Sequence, residues 1–479
     1  MIRAVNQLGH RLSLPALAAA SLAGYLILAA WFPLLPHAAA APPLDIRRFA
    51  PSLGAALLYA LLLLALCGLQ ALALRRVRQR PPRPAWLLAA AGLLGLPLLL
   101  TYPINATDVY RYVIRGRVSS VYAASPYAAA PDAFAADPYL PLAGEWATET
   151  SPYGPVWELT AGAVAGLFRH SLPAALLAFK SLGLLLHLAI AALLGAYQSR
   201  SAPADRAAVT LLWAWNPALL LTFVANGHND ALMLFWLLLG AWLMHRQHAA
   251  AGFLLMALAP LTKPIGLLAL PFFWLDALRR QPSRAHAIRF AAVTIAGSLA
   301  LAWLAFLPFG SPLDLAQRLL REATTAGGFS ILALLILGAQ QLDLPLRIAA
   351  FLRAGQVLFG AAALWLLWRA WHGRSPARGA ADLFLAYLLT AFSFRIWYMA
   401  WPAAFLLGSE TAVRRRLGFW LLLTAQLSVL IYGHLRVYLL GGSQLLAHLV
   451  GIPFTFGLPF LLAQIPFGRR SDSCYHSPL

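Results

Sequence analysis

Runs of apolar residues close to twenty long recur from one end of this chain to the other, and they constrain its fold more than any other feature. In hydrocarbon every backbone N–H and C=O must be satisfied within its own segment, so such runs become helices. About 20 residues cover a hydrocarbon core of about 30 Å. Candidate spans lie at 14–35, 52–74, 85–104, 173–197, 207–225, 230–245, 249–262, 265–278, 287–307, 346–370, 381–394, 396–407, 417–432 and 444–462. The expectation is an all-α polytopic membrane protein with about 13 to 14 transmembrane helices.

Composition agrees. Hydrophobic residues are 61% and charged residues 11% of the chain, with a mean hydropathy of +0.71, whereas a soluble domain carries about 25% charge. A net charge of +20 would suggest nucleic acid for a soluble protein. Here the arginines sit in short loops between apolar runs. They read as cytoplasmic topology signals beside anionic lipid, and no nucleic acid is expected. Cys67 within a run and Cys474 in the tail support neither a disulfide nor a metal cluster. The first run is too long for a signal-peptide core and reads as an uncleaved span.

The basic loops set the orientation. Arg75, Arg76, Arg78, Arg80 and Arg83 follow the second run and go to the cytoplasm, which leaves Asp108 outside. The runs 156–168 and 331–342 then lie along the outer interface instead of crossing. With that choice Arg3, Arg11, Arg200, Arg206, Arg246, Arg279, Arg280, Arg284, Arg289, Arg369, Arg374, Arg378, Arg414, Arg415, Arg416, Arg469 and Arg470 fall inside, as do both termini.

One polar segment, 105–157, interrupts the apolar pattern. It holds Asp108, Asp132, Asp137, Glu145 and Glu149 out of 16 acidic residues, together with Arg111, Arg115, Arg117 and several tyrosines. A long loop without regular structure is functional or disordered, and this one is too aromatic for disorder. Asp108 follows an apolar run beside Asn105, Thr107 and Tyr110, where a carboxylate can take a proton from a hydroxyl. Capping a helix is its plainer role. A second outward tip carries His228, Asn229 and Asp230, which suit sugar hydroxyls or a cation. Asn229 and Asp230 equally suit capping, and one His with one Asp is too few for a metal site.

Lys180 and Lys263 are the only lysines. Lys263 precedes Pro264 at a break between two short runs, and Arg395 stands at another such break, ahead of Trp397, Tyr398 and Trp401. Short, interrupted membrane helices that carry a charge mark binding sites. Lys263, Lys180 and Arg395 suit a phosphate arriving on a lipid, with snorkelling the plainer role for Lys180. The three aromatic residues suit a sugar face or an interfacial belt. His434 and Arg436, at the last outward tip, are weaker phosphate or acceptor contacts. The chain has no Gly-rich phosphate loop, no His-Glu-x-x-His and no nucleotide fingerprint, so an activated donor would arrive in the membrane.

Thr107-Asp108-Val109-Tyr110-Arg111-Tyr112, Arg115-Gly116-Arg117, Ser125-Pro126-Tyr127 and Ser151-Pro152-Tyr153-Gly154-Pro155 together resemble the first outer loop of GT-C glycosyltransferases. The likeness is greatest to bacterial polyprenyl-phosphomannose-dependent mannosyltransferases. Asn216-Pro217, Gly227-His228-Asn229-Asp230, Lys263-Pro264, Trp397-Tyr398 and Trp401-Pro402 follow in that family's order, so the resemblance runs from about 85 to 402. It implies a GT-C fold with interfacial helices in the outer loop and a site on the periplasmic side of a bacterial inner membrane. It also implies a polyprenyl-phosphate-linked sugar donor, mannose by preference, and carries the family's general-base role onto Asp108. Many relatives pair a second acid with this one, but Val109 follows here. Metal-independent chemistry is therefore expected, with no cofactor.

These readings give three parts: two N-terminal transmembrane helices in 1–84, a GT-C catalytic module in 85–410 with its outer loop at 105–172, and C-terminal transmembrane helices with a short tail in 411–479. The expected function is inverting transfer of a monosaccharide to an extracytoplasmic glycolipid or glycan. Asp108 is the base; Tyr110, Arg115, Arg117, Tyr153, His228, Asn229, Asp230, Lys263, Arg395, Trp397, Tyr398 and Trp401 are the substrate-binding candidates. A lipid-linked sugar transporter or flippase, and a polysaccharide polymerase or ligase using a diphosphate-linked donor, are the alternatives. The first should show internal symmetry and charges deep in its spans.

Overall fold

Every regular element among the described residues is helical, as the apolar pattern requires. The structure, a computed structural model, describes residues 12–198, 201–322, 328–344 and 348–466. Arg3, Arg11, Arg200, Arg469, Arg470 and Cys474 lie outside the described residues. The helices run α1 (Leu14–Trp31), α2 (Leu53–Gln79), α3 (Pro84–Leu99), α4 (Asp108–Ser120), α5 (Pro155–Leu167), α6 (Leu172–Tyr197), α7 (Pro203–Ala214), α8 (Pro217–Ala225), α9 (Asp230–His245), α10 (Ala249–Thr262), α11 (Leu270–Arg279), α12 (Arg284–Phe306), α13 (Pro312–Glu322), α14 (Ile331–Gln341), α15 (Ile348–Trp371), α16 (Pro376–Thr390), α17 (Ile396–Leu407), α18 (Ala412–Leu430) and α19 (Gln444–Leu462).

Seven of the described helices are long and apolar enough to cross a bilayer, or eight if the bent pair α7 and α8 is one span. Others of the expected spans are shorter apolar helices, among them α3, α9, α10 and α17. Helix α5 has 13 residues and rises about 20 Å, and α14 has 11 and rises about 16 Å. Both fall short of the ~30 Å core, in keeping with an interfacial position for each.

The interruptions have local causes. At the α7–α8 bend of 43°, the Asn216 side chain accepts hydrogen bonds from the Ala218 and Leu219 N–H groups at 3.0 and 3.3 Å. Pro217 takes the first helical position, so a helix restarts there. After α10, Lys263 is extended (φ −145°, ψ 120°), because Pro264 disfavours a helical conformation at the residue before it. Arg395 is likewise extended (φ −127°, ψ 146°) between α16 and α17. Both cations therefore stand on bare backbone between paired short helices.

The helix ends sort into two groups. Arg374 and Arg414 both pair with Asp382, Arg378 pairs with Glu410 at 3.3 Å, and Arg279 donates to the Ala370 carbonyl at 3.0 Å. Gln198 donates to the Gly408 carbonyl at 2.9 Å. These contacts join the C-terminal ends of α6, α11, α15 and α17 to the N-terminal ends of α16 and α18. Asp108, His228, Lys263 and Arg395 all belong to the opposite ends of these helices or of their neighbours.

Close backbone approach fixes the outer loop. Helix α4 packs on α5 at Gly116, where a Cβ would lie 2.3 Å from the Ala161 carbonyl oxygen. Gly154 N–H donates to the Thr262 carbonyl at 3.0 Å. A Cβ on Gly154 would come 2.1 Å from the Leu261 carbonyl oxygen. The loop and the Lys263 break thus touch backbone to backbone.

Candidate functional site

Thr107 is the residue before α4, and its side chain makes no capping hydrogen bond. Asp108 is the first helical residue, and its carboxylate is directed elsewhere. Oδ1 accepts from Arg111 Nη1 at 3.0 Å and from the Tyr153 hydroxyl at 3.3 Å, and Oδ2 accepts no hydrogen bond among the described residues. Asp108 is buried. Burial raises its pKa, but the charges of Arg111, His228, Lys263 and Arg395 outweigh burial and hold the carboxyl below its ordinary value. Burial also drops the His228 imidazole to about 4. At neutral pH the histidine is therefore uncharged, and the balance falls to the arginines and the lysine. Burial and the Asp108 charge push the Tyr153 phenol up, so it remains a donor.

A second acid stands across the site. Asp230 is fully buried and accepts from Lys263 Nζ at 2.8 and 2.9 Å and from Trp401 Nε1 at 2.5 Å. Lys263 is ringed by Tyr398, Trp401 and Tyr153, with ring centroids 5.4, 5.5 and 5.9 Å from Nζ, a cation–π setting. Tyr398 stacks on Trp401 at 4.2 Å, and Trp397 stacks on His228 at 4.3 Å. Arg395 is half-buried and makes no ion pair or side-chain hydrogen bond among the described residues.

The structure brings together Asp108, Tyr153, His228, Asn229, Asp230, Lys263, Arg395, Trp397, Tyr398 and Trp401. Three other expected contacts lie elsewhere. Tyr110, two residues beyond Asp108 and so on another face of α4, is buried against Tyr102, with ring centroids 6.1 Å apart. Arg117 donates to Asp137 at 2.7 Å and to the Arg169 carbonyl at 2.9 Å. It clamps the loop. Arg115 is buried and donates to the Glu149 and Thr150 carbonyls at 3.3 and 3.4 Å, so it acts on Tyr153 only through its ring, 5.8 Å away.

Of the weaker candidates, Lys180 does not snorkel. It is fully buried and donates to the Thr101 carbonyl and, at 2.6 Å, to the Ala225 carbonyl. His434 is buried within 2.7 Å of the Ala50 carbonyl.

Two residues escaped sequence reasoning. Arg111 was visible only as one more arginine of the loop, although its spacing from Asp108 is that of a helical ion pair. Glu158 gave no signal within an apolar run. It is buried, accepts a hydrogen bond from Ser151, and burial pushes its carboxyl up to about 7. Ser151 Oγ in turn accepts from Tyr153 N–H at 3.2 Å. Among the described residues no group of three or more His, Cys, Asp or Glu side chains is arranged to hold a metal ion.

Residues 10–279 match the profile described as alpha-(1->6)-mannopyranosyltransferase, N-terminal domain. The match takes in Asp108, Tyr153, His228, Asp230 and Lys263. The chain is similar to alpha-(1->6)-mannopyranosyltransferase B of Corynebacterium glutamicum, 27% identical over 226 residues, which are 43% of this chain and 37% of that protein. It is 26% identical over 337 residues to alpha-(1->6)-mannopyranosyltransferase A of Mycobacterium tuberculosis, covering 64% and 62% of the two. Against the A protein of Corynebacterium glutamicum it is 24% identical over 177 residues, or 37% and 36%. The chain thus spans a little over a third of the length of the corynebacterial relatives and under two thirds of the mycobacterial one. With more than half of its length matched by the profile, the chain belongs to the alpha-(1->6)-mannopyranosyltransferase family.

Proposed function

We propose that this protein transfers a mannosyl group from a polyprenyl-phosphate-linked donor to a hydroxyl of an extracytoplasmic glycolipid or glycan, with inversion at the anomeric carbon and formation of a 1→6 linkage. The acceptor hydroxyl sits at Asp108 Oδ2. As its oxygen bonds to the anomeric carbon, its proton passes to the carboxylate, and the bond from that carbon to the phosphate oxygen breaks with the electron pair leaving on the phosphate. Lys263 and Arg395 hold the departing phosphate, and Trp397 with Tyr153 borders the sugar. Arg111 and Tyr153 keep Asp108 ionised and aimed. The catalytic module is 85–410, and no cofactor or metal is assigned to the step.

The observation that carries this reading is the pairing of the charges around Asp108, which leaves Arg395 uncommitted. Arg111 pairs with Asp108 and Glu145, Lys263 pairs with Asp230, and Arg395 makes no ion pair among the described residues. One uncommitted cation suits a phosphodiester, which carries one negative charge, better than a diphosphate-linked donor. Its place at the ends of membrane helices suits a headgroup attached to lipid. The relatives' names supply the sugar and the linkage.

The test uses the full-length protein in proteoliposomes with radiolabelled polyprenyl-phosphate mannose and an α-mannoside glycolipid acceptor. Label should move to the acceptor, and only where polyprenyl-phosphate mannose is the donor. Transfer from a polyprenyl-diphosphate sugar and not from the monophosphate would overturn the reading.

A further inference from the structure

The tip between α8 and α9 holds buried polar atoms that nothing satisfies. Asn229 is 1% exposed, and neither its amide nitrogen nor its amide oxygen has a hydrogen-bond partner among the described residues. His228 is 2% exposed and in the same condition at Nδ1 and Nε2. The Asp230 oxygen facing its Nδ1 is 3.9 Å away, beyond hydrogen-bond range. Buried polar side chains almost always find partners, and leaving one unmade is costly. Capping α9 would be the ordinary use for Asn229, and Asn216 does this at the preceding break. The Asn229 backbone is instead helical (φ −67°, ψ −14°) and its side chain caps nothing.

The backbone holds these side chains where they are. Gly227 adopts φ +67°, which favours glycine, and a Cβ there would meet Val109 Cγ2 at 3.2 Å. Asn229 N–H donates to the Tyr112 hydroxyl at 3.4 Å. Val109 and Tyr112 lie on the first turns of α4, so the tip is fastened to the helix that carries Asp108. Trp397, stacked on His228, fixes the plane of the imidazole.

We propose that His228 and Asn229 form the hydroxyl-reading wall of a pyranose subsite. The Asn229 amide donates to one hydroxyl and accepts from its neighbour, and the neutral His228 ring bonds a further one. This rests on the transferase reading above. The sugar is assigned to the donor because His228 stands beside Asp230, whose partner Lys263 faces the donor phosphate in that reading.

The discriminating variant is Asn229→Leu, similar in size and free of polar atoms. If the amide served only the fold, removing buried groups without partners would leave stability equal or better and activity intact. If it reads hydroxyls, thermal stability in detergent holds while kcat/KM for polyprenyl-phosphate mannose falls at least tenfold. A site built to hydrogen-bond a hydroxyl rejects the analogue that lacks it. The wild type should therefore reject the 2-deoxymannosyl or 3-deoxymannosyl donor, and Asn229→Leu should lose most of that preference. Asn229→Asp, nearly isosteric and lacking the donor group, should show the same loss if the leucine variant does not fold.

Deoxygenated acceptors form the second arm. A preference lost only there keeps the pyranose wall and overturns its assignment to the donor. Full activity with unchanged discrimination in both Asn229 variants overturns the proposal while the transferase reading stands. A wild type that uses no polyprenyl-phosphate mannose defeats that reading and this proposal with it.

Discussion

Asp108 and Asp230 stand in one cluster and yet are prepared for different work. Asp230 has both oxygens committed, to Lys263 and to Trp401. Asp108 spends one oxygen on Arg111 and Tyr153 and keeps the other free. Asp230 is therefore a positioning residue for Lys263. Removing one partner of a buried ion pair typically costs about 3 kcal/mol or more, so Asp230→Ala should lower thermal stability clearly as well as transfer. Asp108→Asn keeps an oxygen for Arg111 and Tyr153 and loses only the charge, so it should lower stability less than Asp230→Ala does. Differential scanning of the two purified variants checks the contrast.

Glu158 supplies a pH dependence of its own. Its carboxyl is raised from an ordinary 4.5 to about 7, so the folded state favours the neutral form. The stability this contributes is fully present below about pH 4.5 and is lost as pH rises through 7. The loss is worth about 3 kcal/mol. Glu158→Gln keeps an acceptor for Ser151 and does not ionise, so it should raise the melting temperature at pH 8 and leave it unchanged at pH 4. Equal curves for wild type and variant across that range would contradict the assignment. At this scale the sequence exposed the rare charges, because a charge in an apolar chain stands out. It did not expose their partners: Tyr153 reaches Asp108 across the loop, and Arg117 is claimed by Asp137, pairings made by folding and not by spacing.

At the scale of elements, the breaks were legible and the seams were not. Asn216-Pro217 and Lys263-Pro264 interrupt their helices for reasons carried by the residues themselves. The seam between the loop and the Lys263 break is written only in a glycine. Gly154→Ala would drive a methyl group into the Leu261 carbonyl, a misfit of the kind that costs about 1 to 3 kcal/mol. It should also shift Tyr153 from Asp108, so kcat should fall more than KM rises. A melting curve and a donor titration on that variant separate the two effects, and an unchanged kcat would show that the seam does not position the site.

For the whole molecule, the basic pattern predicts one side for the arginine loops and the other for Asp108. Sidedness itself is a matter for labelling. His170 and Arg280 are both exposed, at ends of opposite kind. In a background lacking Cys67 and Cys474, His170→Cys should react with an impermeant thiol reagent added outside intact cells, and Arg280→Cys only after the membrane is opened. The reverse pattern would invert the topology. Span number was the least legible property at this scale, because apolar runs such as 230–245 and 249–262 fold into helices shorter than a typical crossing.

The central claim is that Asp108 accepts the acceptor's proton, and single-turnover transfer by Asp108→Asn tests it most directly. Asparagine keeps the shape and the contacts with Arg111 and Tyr153 but is not basic. Donor affinity should stay within a few fold of wild type while the transfer rate falls by about 10²- to 10⁴-fold. Transfer at the wild-type rate by a correctly inserted Asp108→Asn protein would contradict it.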